Sequence, residues 1–240
     1  MTNDGSAVRL RRSSFLLFVP SYGNPFAYLD PVPFTAVPIA QRLTRRGILF
    51  LVSAPSGAGK STILNSLRPD EDLVYSVSCT TRAPRAGEIE GEDYNFVSHA
   101  QFQQYLAAGE LLEYAEVHGQ FYGTRRDLVL ANLNRGVDVI MDLDVQGARQ
   151  LRQATPEIRE ALVDIFILPP SLEELRHRLI KRGTESLEQI DVRLGNAATE
   201  MENWREYRYT LISGSMEEDL LKFRSIMRAE QYLSRRLILS

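Results

Sequence analysis

One segment of this 240-residue chain limits its possible folds more than any other. Gly47-Ile48-Leu49-Phe50-Leu51-Val52-Ser53 is a continuous apolar run that leads into Ala54-Pro55-Ser56-Gly57-Ala58-Gly59-Lys60-Ser61 and then Thr62-Ile63-Leu64. An apolar run without alternation marks a strand covered on both faces. Gly57 and Gly59 let the next residues curl so that successive N–H groups converge on an anion. Lys60 adds a point charge, and Ser61 offers a hydroxyl to a divalent cation. Strand, glycine loop and helix N-terminus together are the context a phosphate-binding loop demands. Ala54 stands where the pattern has its first glycine.

The same alternation continues downstream. Val137–Asp142 and Val163–Leu168 are short apolar runs rich in β-branched residues, and Tyr209–Ile212 is a weaker one. Ser98-His99-Ala100-Gln101 and Ser171-Leu172-Glu173-Glu174 match the capping box that opens a helix. Strands alternating with helices predict an α/β fold of three layers, with a central parallel sheet and helices on both faces. A loop of this kind needs a second carboxylate to organise its metal. Asp142 and Asp144 end the second run, and strand alternation would aim both to one side.

Composition removes several function classes. A net charge of −3 at pH 7 argues against a general nucleic-acid binder. No stretch of about 18 apolar residues is present to span a membrane. One cysteine, Cys79, excludes an internal disulfide framework and reads as a small packed thiol in a reducing, cytoplasmic setting. Residues 1–46 differ from the rest, with six Lys/Arg against two acids and five of the eleven prolines. That stretch reads as an N-terminal extension or a start placed too far upstream, with a boundary at Arg46. The apolar run Phe15–Val19 is shorter than the ~7–15 residues of a secretory signal.

Between the glycine loop and Asp142 lies Ser76-Val77-Ser78-Cys79-Thr80-Thr81-Arg82-Ala83-Pro84-Arg85-Ala86-Gly87-Glu88, followed by Gly91-Glu92-Asp93-Tyr94. Arg82 and Arg85 in one loop suit the dianionic phosphate of a mononucleotide. These segments, with Tyr94-Asn95-Phe96-Val97, Phe121-Tyr122-Gly123-Thr124 and Asp142-Leu143-Asp144-Val145-Gln146-Gly147, resemble guanylate kinase over roughly residues 47 to 233.

The resemblance implies transfer of the ATP γ-phosphoryl group to GMP, and to dGMP, within purine nucleotide metabolism. It implies Mg²⁺ held by Ser61 and Asp142, and ATP phosphates cradled by Ala54–Ser61. The acceptor's phosphate would fall to Arg82, Arg85, Tyr94 and Tyr122, and its guanine to Ser78, Glu113, Thr124 and Asp144. Guanine presents N1–H and an exocyclic NH₂ as adjacent donors, which one carboxylate can accept together. Adenine would leave that charge unpaired, a mismatch worth ~10⁴ or more in discrimination. Leu175–Gly183 and Arg193 resemble the family's lid, with Lys60, Arg178, Arg182 and Arg193 as the catalytic set.

The implied organisation is a kinase domain at 47–240, with its core at 47–78, 133–170 and 206–240, an acceptor insertion at 79–132 and a lid at 171–205. Monomer and homo-oligomer both stay open. Two departures from the family pattern stand out: His177-Arg178 replaces a common Arg-Arg pair, and Ile212-Ser213-Gly214 replaces Val-Asn-Asp near the adenine side. A non-catalytic module binding peptides in the acceptor groove is the alternative from another class, against which the complete Gly57–Ser61 turn speaks. A sugar-phosphate kinase is the second, against which Ser78, Glu113 and Thr124 speak.

Overall fold

A computed structural model describes residues 43–67, 73–183 and 186–239. Leu43–Arg45 forms β1, Leu49–Ser53 forms β2, Lys60–Leu67 forms helix α1 and Leu73–Tyr75 forms β3. The chain then leaves for β4 (Cys79–Thr80), β5 (Asn95–Phe96), α2 (His99–Ala107), β6 (Leu111–Val117), β7 (Gln120–Arg125) and α3 (Arg126–Asn134). It returns with β8 (Asp138–Asp142), α4 (Val145–Arg152), α5 (Pro156–Ala161) and β9 (Leu162–Leu168). Two helices follow, α6 (Leu172–Arg182) and α7 (Leu187–Met201), the second ending in a short 3-10 helix, Glu202–Glu206. Last come β10 (Tyr209–Ile212), α8 (Met216–Gln231) and β11 (Leu237–Leu239).

The central sheet has the order β10-β9-β2-β8-β3, and every pairing in it is parallel. β2 is buried along its whole length because it lies in the middle and its alternate residues feed opposite faces. Phe50 and Val52 pack toward α1 and α8 with Ile63, Leu67, Phe223 and Met227. Leu49 and Leu51 pack the other way with Val129, Leu133, Leu151 and Ile158, from α3, α4 and α5. These are the three layers read from the sequence. The chain reverses direction across the sheet at β2, so the crevice at the carboxyl ends of β2 and β8 is where such folds place ligands.

A second, four-stranded sheet, β5-β4-β7-β6, was not read in advance. It covers a small core of Cys79, Phe102 and Leu111, and Cys79 is packed there, with burial raising its thiol pKa. Its long hairpin turns at His118 (φ 51°) and Gly119 (φ 75°), the paired positive φ values of a two-residue turn whose twist suits the strands.

Three described residues precede the boundary read at Arg46. Leu43–Arg45 pairs antiparallel with Leu237–Leu239, and the Arg45 guanidinium donates two bonds to the buried Asp138 carboxylate. Residues 1–42 lie outside the described residues. The helix caps also differ in part from expectation. Ser98 and Ser171 each accept an N–H three residues on, but the full reciprocal box forms at Ser186 and Gln189. The Glu174 side chain is instead taken by Arg178.

Candidate active site

The glycine loop sits at the carboxyl end of β2 and has the strained geometry its sequence demands. Gly57 and Gly59 have φ of 90° and 97°, a region only glycine enters freely. At Gly57 a Cβ would also come within 2.8 Å of Leu179 Cδ2, so α6 packs directly on the loop. Ala58 N–H returns to Pro55 O at 3.1 Å and closes the curl. At the first position of α1, the Lys60 ammonium forms an ion pair with Asp142, which lies beside Val52 in the β2–β8 ladder. The loop from Ala54 to Ser61, with Asp142, Asp144, Arg178, Arg182 and Glu200, lines a cavity of about 640 Å³.

Asp142 and Asp144 reach this cavity by different means. The strand ends at Asp142, and Asp144 is the N-cap of α4, its Oδ1 accepting Gly147 N–H at 2.8 Å. The shared side thus comes from a cap rather than from strand alternation. Ser61 and Asp142 face the same space as the loop, a hydroxyl and a carboxylate that fit a hard divalent cation. Among the described residues no group of three or more His, Cys, Asp or Glu gathers to hold a metal. A cation here would take its other ligands from phosphate and water.

A second cavity, of about 420 Å³, opens between the two sheets and is lined by Tyr75, Ser76, Ser78, Asp93, Tyr94, Thr124 and Asp142. Asp142 lines both cavities. Behind this wall lies Glu113 on β6, only 6% exposed. Its Oε1 accepts the Thr124 hydroxyl at 2.7 Å, and Thr124 in turn is 3.2 Å from Ser78 Oγ. Burial pushes the Glu113 carboxyl up to about 7, the nearby Asp144 charge adds to this, and the Thr124 bond opposes it. Three of the four residues expected to meet guanine therefore form one hydrogen-bonded row, with Asp144 within electrostatic reach.

The residues expected to hold the acceptor's phosphate gather less completely. Arg82 donates two bonds to Glu88, at 2.8 and 3.0 Å, and lies over the Tyr94 ring at 5.4 Å. Tyr94 and Tyr122 meet edge to face, their centroids 5.9 Å apart. Glu88 also accepts Arg85 N–H at 2.7 Å, and these two arginine bonds hold its carboxyl below the usual range. The Arg85 side chain itself is exposed. Sequence reasoning gave Glu88 no role, although it follows Arg82 by only six residues.

The α6 and α7 arginines reach the loop from above. Arg193 donates to Ser56 Oγ at 2.7 Å. Arg178 donates to Glu174 Oε1 and to Ser213 Oγ, so the Ser213-Gly214 departure supplies the hydroxyl that orients this arginine. Ser213 and Gly214 are themselves anchored to the buried Asp219. His177 lines an outer groove with Ser171, Glu173 and Ile180, so the lost charge at 177 lies off the loop cavity. Glu200 was missed. It follows Arg193 by two helical turns and lines the loop cavity, where burial and Asp144 raise its carboxyl.

Known proteins resemble this chain over most of its length. A sequence profile described as guanylate kinase matches residues 46–230. A guanylate kinase from Gluconobacter oxydans (strain 621H) is 46% identical over 196 residues, which are 81% of this chain and 93% of that protein. One from Rhizobium meliloti (strain 1021) is 46% identical over 200 residues, 83% of this chain and 89% of the relative. The crystal structure of guanylate kinase from Anaplasma phagocytophilum superposes with a TM-score of 0.64 at 38% identity, covering 82% of this chain and 92% of that one. Because the profile takes in the glycine loop, the row at Glu113 and helices α6 and α7 alike, the chain belongs to the guanylate kinase family.

Proposed function

We propose that this protein transfers the γ-phosphoryl group of ATP to GMP or dGMP, forming ADP and GDP or dGDP. The observation that carries the reading is that Asp142 lines both cavities, so a donor on the glycine loop and an acceptor beside Glu113 meet at one carboxylate. The residue roles follow from that meeting. Loop N–H groups and Lys60 would hold the donor phosphates, and Ser61 with Asp142 would hold Mg²⁺. When bound, Mg²⁺ neutralises charge on the transferring oxygens. Arg82, Arg85, Tyr94 and Tyr122 take the acceptor's phosphate, for which Arg82 must share or leave Glu88. Glu113, Thr124, Ser78 and Asp144 read guanine.

Phosphoryl transfer asks little acid or base work of the protein and depends on positioning and charge. Arg178, Arg182 and Arg193 would supply the remaining positive charge as residues 171–205 close, and closure keeps water from taking the phosphoryl group. In this reading residues 79–132 are the acceptor insertion, and 47–78, 133–170 and 206–240 the core. No helix among the described residues is long and apolar enough to cross a membrane. The buried Cys79 thiol suits a reducing cytoplasm.

The test is ADP release in a coupled assay with ATP and Mg²⁺ against GMP, dGMP, AMP, UMP and ribose bisphosphates. Turnover with GMP and dGMP alone is expected. Equal turnover with AMP would overturn the base-reading role of Glu113, and silence with every acceptor would favour the peptide-binding module.

A further inference from the structure

The central sheet carries a second, strongly charged cavity at its other end. Its five strands run parallel, so the glycine loop lies at the carboxyl end of β2, whereas Gly47, Ala161 and Arg208 lie just before the amino ends of β2, β9 and β10. These three positions border a cavity of about 430 Å³. Gly47 and Ser53 are about 20 Å apart along an extended strand. The cavity shares no lining residue with either cavity of the candidate active site.

Arg46, Arg159, Arg208, Arg235 and Arg236 line this space, in a chain whose net charge is −3. Two of them are fixed from behind. Glu230 on α8 is fully buried, and its carboxylate accepts Arg208 at 2.8 Å and Arg236 at 3.0 Å. Arg236 also donates to Glu160 O at 3.1 Å, and Arg46 pairs with Glu157. Arg159 and Arg235 are exposed and have no side-chain partner among the described residues. Against these five guanidinium groups stand Glu157 and Glu160 in the lining and Glu230 behind it, so two positive charges are in excess. A cleft with one sign of charge in excess concentrates ions of the other sign.

Anchored guanidinium groups present N–H forks that match phosphate oxygens two at a time. Two excess positive charges suit a phosphate monoester, which is close to dianionic at pH 7. The volume nearly equals the 420 Å³ of the cavity beside Thr124, and Ala161 and Ile238 add apolar wall. We propose that this cavity is a second anion site, which takes the phosphate dianion of a small phosphorylated molecule. The site stands apart from the kinase reading and does not depend on it.

The test is calorimetric titration of the whole chain with ribose 5-phosphate and with inorganic phosphate, at fixed low ionic strength. Wild type and the pair variant Arg159→Gln/Arg235→Gln have the same glycine loop and acceptor residues, so a difference between them belongs to this cavity. Wild type should show a binding event that the pair variant lacks or shows about 10- to 100-fold more weakly, the worth of charge-assisted hydrogen bonds. Glu160→Gln removes a carboxylate from the lining and should tighten the same event by about two- to fivefold. Tighter binding of the ester would name a phosphorylated sugar as the ligand, and equal binding the free anion. The urea midpoint of the pair variant should match wild type, since neither arginine has a partner to lose. Identical isotherms for wild type and the pair variant, or weaker binding by Glu160→Gln, would overturn the proposal. So would a changed sedimentation mass in the pair variant, which would assign the arginines to a contact between copies. GMP-dependent turnover, measured alongside, should be equal in wild type and the pair variant. Its absence from wild type would overturn the kinase reading, while the isotherms decide the anion site in either case.

Discussion

On the proposed reading of guanine by Glu113, acceptor binding is a titration. Burial raises its carboxyl from an ordinary 4.5 to about 7 in the free protein, so near neutrality about half the molecules carry it protonated. Guanine's adjacent N1–H and NH₂ donors need the ionised form, which must be regained before GMP binds. The apparent KM for GMP should therefore fall as pH rises from 6 to 8, by about tenfold for a free-state value near 7, and level off above. The acceptor's own phosphate, with a second pKa near 6, titrates in the same window. Glu113→Gln shares that background and removes only the carboxyl. Its KM for GMP should rise by about 10- to 100-fold, the worth of a charged hydrogen bond, and should lose the extra pH slope, with the KM for ATP little changed. The assay is coupled ADP release at fixed ionic strength across pH 6–8.5. Parallel KM profiles for the two proteins, or a wild-type KM in the variant, would refute the argument. Stability follows with the opposite sense. A carboxyl raised on folding stabilises fully below about 4.5 and loses that contribution as pH climbs through about 7, by about 3 kcal/mol in all. Glu113→Gln should flatten that slope in urea unfolding.

Lys60→Ala should lower kcat by about 10²–10³ with the urea midpoint nearly unchanged, since the ammonium acts on charge in transfer while its partner Asp142 is part exposed. A variant retaining most of its turnover would remove Lys60 from the donor site. Arg45→Ala strips the buried Asp138 carboxylate of a two-bond partner and should cost about 3 kcal/mol of stability, read by urea unfolding. Its turnover per folded molecule should be preserved, because Asp138 begins β8 and Asp142 ends it. Small-angle scattering should give a smaller radius of gyration with a bisubstrate analogue bound than without, and an unchanged radius would count against lid closure.

How much was legible in advance follows from which forces act locally. Gly47–Ser61 was readable because a strand buried on both faces must be apolar throughout, and the loop's curl must use glycine. β8, β9 and β10 were found by the same rule. The pairs β4–β5 and β1–β11 were not, being two or three residues long and specified by partners far along the chain. Asp142 was read at the end of a strand, and β8 ends there. Asp144 was placed on the right side for the wrong reason, because a cap and a strand position look alike until the strand's last residue is known. Glu113 could be named only through the resemblance, since nothing in Leu111–Val117 reveals that one acid of the strand is enclosed and the other exposed. Glu200 depends on how α7 lies over the loop, which no short window of sequence records.

The pairing of Leu43–Arg45 with Leu237–Leu239 bears on how the molecule is made. During synthesis β1 emerges early and must wait for nearly two hundred further residues before its partner strand exists. Until then Asp138 can gather Arg45 and the Ile48 N–H, but not Gln231, which lies just before that last strand. The base of β8 is thus finished last, and a ribosome stalled a few residues short of Leu237 would hold a chain with its glycine loop already encoded and its foundation open.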